Sequence, residues 1–235
     1  MDAKNAAAYV GLLETGRWFG GLPDELRREL LGASYLKKLA KGARLFARGD
    51  DPSGLFAVVT GAVRISAAMP SGREALLALA EPPMWFGEIA VLDGRPRTHD
   101  AIGAEESLLV HVPQAALEAL LEREPRHWRH LGALASSKLR LMFDFVEGAA
   151  NLTLGMRLAQ LLVLAAERYG EWNDRSSRVV DLRQEQLAGM LSTSRQTVNQ
   201  LLKELEARGR VRLAYGHVEI ADLEGLRADG TPEGQ

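Results

Sequence analysis

The chain has 235 residues, enough for one large domain or two modest ones, and its 46% hydrophobic content supports an ordinary globular core. A formal net charge of −2 makes the whole chain neither a polycation suited to nucleic acid nor a strongly acidic protein. It contains no cysteine, which excludes disulfides, thiolate zinc sites and iron–sulfur clusters held by cysteine.

The opening "MDAKNAAAYVGLLETG" has no basic start and carries acids, unlike a secretory leader. No apolar run approaches the roughly 18 residues of a membrane helix, so a cytoplasmic protein without a membrane partner is expected. Residues 22–41 place Leu22, Leu26, Leu30 and Leu31 at amphipathic helix spacing, broken near Gly32. From about Ala43 to Val112 short β-favouring runs alternate with turn punctuation at Gly49-Asp50-Asp51-Pro52, Gly61, Pro70-Ser71-Gly72 and Asp93-Gly94. Such a texture predicts a small antiparallel roll or barrel. Inside it, "MWFGEIAVLDGRPRT" starts as core strand, is interrupted by Gly87 and Glu88, and ends with Arg97 beside the hydroxyl of Thr98.

Helical patterning returns after Pro113. Over Arg126–Ala150, the residues Ala135, Leu139, Met142, Val146 and Ala149 form a heptad seam of the kind that joins two helices. A second stripe, Leu131, Leu134, Leu141 and Phe145, is apolar apart from Lys138. The pair His127 and His130 lacks a nearby third metal ligand and reads as a solvated helix start. Residues 154–168 predict another helix, ended by Tyr169-Gly170, followed by the polar loop "EWNDRSSR". The closing "ADGTPEGQ" reads as a disordered tail.

The segment "RQEQLAGMLSTSRQTVNQLLKELEARGRV" predicts two helices joined by a short turn. Leu187, Leu191, Val198 and Leu201 form their shared core, Ala188 permits close approach, and Ser194 caps the second helix. Ser192 stands where a turn glycine is usual. "VRLAYGHVEIAD" then reads as a strand, a turn at Tyr215-Gly216 and a second strand, which makes a wing. From Arg183 to Arg212 six basic residues face three acidic ones, a local excess suited to phosphates. The front of the second helix carries Arg195, Gln196, Thr197, Asn199 and Gln200, side chains that donate to base edges. No nucleophile elbow, zinc helix motif or P-loop points to an enzyme.

In order and spacing, these segments resemble the CRP/FNR superfamily of bacterial transcription regulators. "FGGLPDELRREL", "GARLFARGD" and "LFAVVTGAVRI" look like its opening helix and first strands. "FGEIAVLDGRPRT" resembles its phosphate-binding cassette, and "SRQTVNQLLKELEARGRV" its recognition helix. The resemblance implies an α+β chain: an antiparallel β-roll that senses an effector (1–125), a dimerisation helix (126–150) and a winged helix-turn-helix (151–228). It implies an effector pocket at Gly87, Glu88, Arg97 and Thr98, with Met142 and Phe143 where cyclic-AMP responders carry an adenine-reading Thr-Ser pair. DNA contacts fall to Arg183, Gln184, Ser194, Arg195, Gln196, Thr197, Asn199, Gln200 and Arg210. The implied partners are palindromic double-stranded DNA, a second copy of the chain and RNA polymerase. The effector is left open: a cyclic nucleotide, another small anion, haem at His99 or His111, or none. In the last case Arg97 and Glu88 are expected to pair with each other inside the roll and the regulator to be constitutive.

Overall fold

The computed structural model describes residues 3–68, 74–172, 176–177, 179–214 and 216–232. They form two compact units, 1–139 and 140–235.

The first unit opens with α1 (Val10–Leu13), α2 (Arg17–Gly20) and α3 (Asp24–Gly32). Asp24 and Glu25 sit in the first turn of α3, where the helix dipole favours acids, and Leu26, Leu30 and Leu31 are buried at the expected spacing. The roll begins earlier than the expected Ala43. After Ala33 the chain extends as β1 (Tyr35–Leu39), because "YLKKL" finds a ladder partner far along the chain. β2 (Arg44–Phe46), β3 (Gly54–Thr60), β4 (Val63–Ala68), β5 (Glu74–Ala80) and β6 (Trp85–Phe86) follow. Then come α4 (Glu88–Asp93), β7 (Asp100–Gly103), β8 (Ser107–Pro113) and α5 (Gln114–Arg123). The expected turn at 70–72 lies outside the described residues.

The eight strands form two antiparallel sheets of four, in the orders β1-β8-β3-β6 and β2-β7-β4-β5. Residues 54–59 of β3 are all buried, which explains why this strand is apolar throughout instead of alternating. The core is centred on Trp85, fully buried, with Phe19 stacked on it at 5.2 Å and Trp18 edge-on at 5.3 Å. Trp18 Nε1 donates to the His130 carbonyl at 2.7 Å. That bond ties the start of the long helix α6 (Trp128–Asn151) to the core, in which Leu131 and Leu134 are also fully buried. Pro125–His127 precedes it as a 3-10 turn.

The second unit contains the remainder of α6, then α7 (Leu154–Ala166) and β9 (Val179–Val180). Thr153 Oγ1 caps α7 by accepting from Met156 N. The helix stops at Ala166, two residues short of the expected 168, just ahead of positive φ at Arg168, Tyr169 and Gly170. α8 (Gln184–Met190) and α9 (Arg195–Ala207) form the helix-turn-helix; β10 (Val211–Ala214) and β11 (His217–Ile220) extend it in a sheet of order β10-β11-β9. Of the expected wing turn, Tyr215 lies outside the described residues. The expected disordered tail is partly helical, because α10 (Leu223–Asp229) reaches Ala228 and Asp229; Asp222 caps it by accepting from Gly225 N at 2.9 Å. Among the described residues no helix is long and apolar enough to cross a membrane.

Candidate functional site

Two sites emerge, one in each unit. In the roll, β6 delivers the chain to Gly87 at φ +97°, a conformation that side chains with a Cβ resist. A Cβ there would also lie 2.8 Å from Arg97 Nη1 and press on the guanidinium. The loop after α4 returns to Arg97, whose backbone is pinned on both sides: its N–H donates to the Asp50 carbonyl and its own carbonyl accepts from Gly49 N, each at 2.8 Å.

The Arg97 side chain turns inward and is 3% exposed. Nη1 donates to the Gly87 carbonyl at 2.8 Å; Nη2 donates to Ser53 Oγ at 2.9 Å and to the Gly54 carbonyl at 2.7 Å. The guanidinium lies 4.3 Å over the ring of Phe46. Nε has no partner, and among the described residues no carboxylate forms an ion pair with this cation. Burial pushes its pKa below the ordinary value, opposed by Glu88 and Asp50, and the group stays charged.

Glu88, 2% exposed, does not pair with Arg97. Its Oε2 accepts from Lys138 Nζ at 2.8 Å, and the same ammonium donates to the Trp85 carbonyl at 2.8 Å. The fold thus brings Gly87, Glu88 and Arg97 together. Thr98 is exposed, and its Oγ1 lies 2.9 Å from His99 Nδ1. Met142 and Phe143 are 52% and 57% exposed. Sequence reasoning missed Ser53, Phe46 and Lys138. The one available signal was Lys138 itself, a lone charge inside an apolar helical stripe, which is the mark of a buried pair.

Behind Arg97, His111 is buried and stacked on Phe56 at 4.3 Å. Its Nε2 lies 2.7 Å from the Ser53 carbonyl and therefore carries the proton; its Nδ1 accepts from Tyr35 Oη at 2.7 Å. Burial lowers its pKa, with Lys37 and Arg97 adding to the effect against the Ser53 hydrogen bond. His127 departs from expectation: it is 1% exposed, not solvated, and neither ring nitrogen has a hydrogen-bond partner. Among the described residues no cluster of His, Asp or Glu has the makings of a metal site.

In the second unit, α8 and α9 pack through Leu187, Ala188, Leu191, Val198, Leu202 and Leu205. Leu201 was expected in this core but is only half-buried, because Val198, Leu202 and Leu205 share one face of α9 and Leu201 falls beside it. Ser192 takes φ +55° in the turn, the left-handed geometry for which glycine is usual. Arg183 N–H donates to Gln186 Oε1 at 2.8 Å at the start of α8, and Ser194 Oγ accepts from Thr197 N at 3.0 Å at the start of α9. Arg195, Gln196 and Gln200 are exposed; Thr197, Asn199 and Gln184 are half-buried, with Gln184 Nε2 donating to Asn199 Oδ1 at 3.2 Å. Arg210, expected among the DNA contacts, is engaged within its own unit. Its Nη1 donates to Asp222 at 2.6 Å and its Nε to Asp229 at 3.1 Å, so both nitrogens clamp the wing to α10. These carboxylates, Asp229 foremost, raise its pKa.

The Cyclic nucleotide-binding domain family matches residues 36–124 and the Crp-like helix-turn-helix domain family residues 156–229. A CRP-like cAMP-activated global transcriptional regulator of Mycobacterium tuberculosis is 32% identical over 187 residues, 79% of this chain and 84% of that protein. A Cyclic AMP receptor protein of Thermus thermophilus is 32% identical over 213 residues, 87% of this chain and 92% of that one. The chain belongs to the CRP/FNR superfamily. The structure of FixK2 from Bradyrhizobium japonicum, 19% identical, shares the fold at a TM-score of 0.74, covering 85% of this chain and 98% of its own. As a CRP/FNR protein this chain is a DNA-binding transcription regulator and not an enzyme. Its β-roll, long helix and winged helix-turn-helix are those expected from the sequence.

Proposed function

We propose that this regulator acts as a homodimer on palindromic DNA and is controlled by a small anionic effector bound at Gly87 and Arg97. The observation that carries the effector is the Arg97 guanidinium: a permanent charge, 3% exposed, with no carboxylate ion-paired to it and Nε unused among the described residues. A buried cation without a direct ion pair is costly, and an anion seated against it offsets that cost. The exposed apolar side chains Leu139, Met142, Phe143 and Val146 on α6 support the dimer, since they include three members of the heptad seam. Residues 1–125 then serve as sensor, 126–150 as dimer helix and 151–228 as reader, in the cytoplasm and with RNA polymerase as the further partner.

The two relatives named for cyclic AMP make that nucleotide the first effector to test. Titration calorimetry with cyclic AMP, cyclic di-GMP and inorganic phosphate, on the native protein and Arg97→Lys, decides the matter. Saturable binding lost in the variant supports the proposal. Heats absent for all three probes, together with tight DNA binding by the unliganded protein, favour a second reading: a constitutive regulator whose pocket is closed by the Lys138–Glu88 pair, which already occupies the cassette carboxylate.

A further inference from the structure

The outward side chains of α9 differ in what they have left to offer a base. Arg195 and Gln196 are exposed, and no hydrogen bond restrains their side chains among the described residues. Asn199 is restrained: its Oδ1 accepts from Gln184 Nε2 at 3.2 Å, a bond joining the first residue of α8 to the fifth of α9. A primary amide is a planar fork, with the oxygen on one limb and the NH2 on the other. With the oxygen turned to α8, the NH2 limb is turned away from it, and it has no hydrogen-bond acceptor among the described residues.

A free asparagine reads adenine with both limbs, accepting from N6 and donating to N7. An asparagine whose oxygen is held against α8 presents its NH2 limb, with two donors, on the side away from α8. The matching base edge is that of guanine, whose N7 and O6 are both acceptors. We propose that Gln184 is a positioning residue that makes Asn199 a donor-only reader, so that Asn199 selects guanine over adenine at one position of each half-site. The inference rests on α9 being the reading helix.

The test is selection of random duplexes by the full-length protein and by Arg195→Ala, Asn199→Ala, Asn199→Asp, Gln184→Ala and Gln184→Glu. The native protein should select guanine at a position where Asn199→Ala and Asn199→Asp lose the preference, Asp because it keeps the oxygen but has no donor. Gln184→Ala should raise adenine against guanine there by about tenfold, the scale of one good base contact. Gln184→Glu offers only acceptors, so it should draw the NH2 limb inward, turn the oxygen outward and favour bases bearing an amino group. Thermal melting of each variant separates lost recognition from lost fold, and the two Gln184 variants fail independently. Adenine at the Asn199-dependent position in the native selection, or no shift in either folded Gln184 variant while Arg195→Ala does alter a position, overturns the inference and leaves α9 as the reader. If neither Arg195→Ala nor Asn199→Ala alters any position, α9 is not the reader and the inference falls with it.

Discussion

The cassette in the roll and the outward face of α9 each carry an arginine, in opposite settings. Arg97 is 3% exposed and engages two backbone carbonyls, a serine hydroxyl and an aromatic face. Arg195 stands exposed at the first position of its helix, with no protein partner among the described residues. A buried cation is part of the fold whether or not a ligand comes, because each acceptor it satisfies is stranded if it leaves. An exposed cation is free to serve a partner because the fold does not need it. Arg210 shows that a place beside the helix-turn-helix is not enough to distinguish the two, since its guanidinium forms ion pairs with Asp222 and Asp229.

The largest effect expected is at Arg97. Arg97→Ala should cost about 3 kcal/mol of stability in urea unfolding, with the Gly54 carbonyl left buried and unsatisfied and a gap opened beside Phe46. A variant as stable as the native protein would show that the cassette arginine is a bystander in the apo fold, and the contrast with Arg195 would vanish.

Next in size is the pair beneath the cassette. Lys138→Met leaves the Glu88 carboxylate buried alone and should cost about 2 kcal/mol, less than a fully buried pair because Lys138 keeps 24% of its side-chain surface. The double variant Glu88→Gln, Lys138→Met should regain most of that loss. Additive losses in this double-mutant cycle would mean that the two groups act separately.

Arg195→Ala sharpens the other side of the comparison. Affinity for a selected operator should fall by about 1–3 kcal/mol while the unfolding midpoint stays in place, and fluorescence anisotropy beside urea titration reads both. A loss of stability comparable to that of Arg97→Ala would contradict the division of labour.

The smallest effect is on pH. Burial, first, holds the His111 pKa below its ordinary value of about 6.5 and favours the neutral ring, which keeps both hydrogen bonds. A base lowered on folding contributes stability that is complete above the unfolded pKa and is lost as pH falls from there through the folded one. His99 and His130 shift in the same direction, so melting temperature should decline as pH drops below about 6.5, and His111→Gln should flatten only part of that slope. An unchanged slope would place the protonation elsewhere.

Sequence alone determined the elements whose cause is local. The periodicity of Leu26, Leu30 and Leu31 was enough for α3, Ser194 for the start of α9, and Tyr169-Gly170 for the end of α7, since capping, φ preference and a 3.6-residue repeat act within one or two turns. Order and spacing of motifs carried the family as well. Tertiary structure alone decided β1, where "YLKKL" becomes a strand only because β8 lies beside it. It also decided which partner each charge takes. Glu88 meets Lys138 across 50 residues of sequence, Arg97 meets Ser53 across 44, and His127 is buried in spite of its polar neighbours. A charged side chain shows no period and no cap that names its counterpart. Its partner is whatever the packed fold brings within about 3 Å, and that is fixed by the core and not by the residue itself.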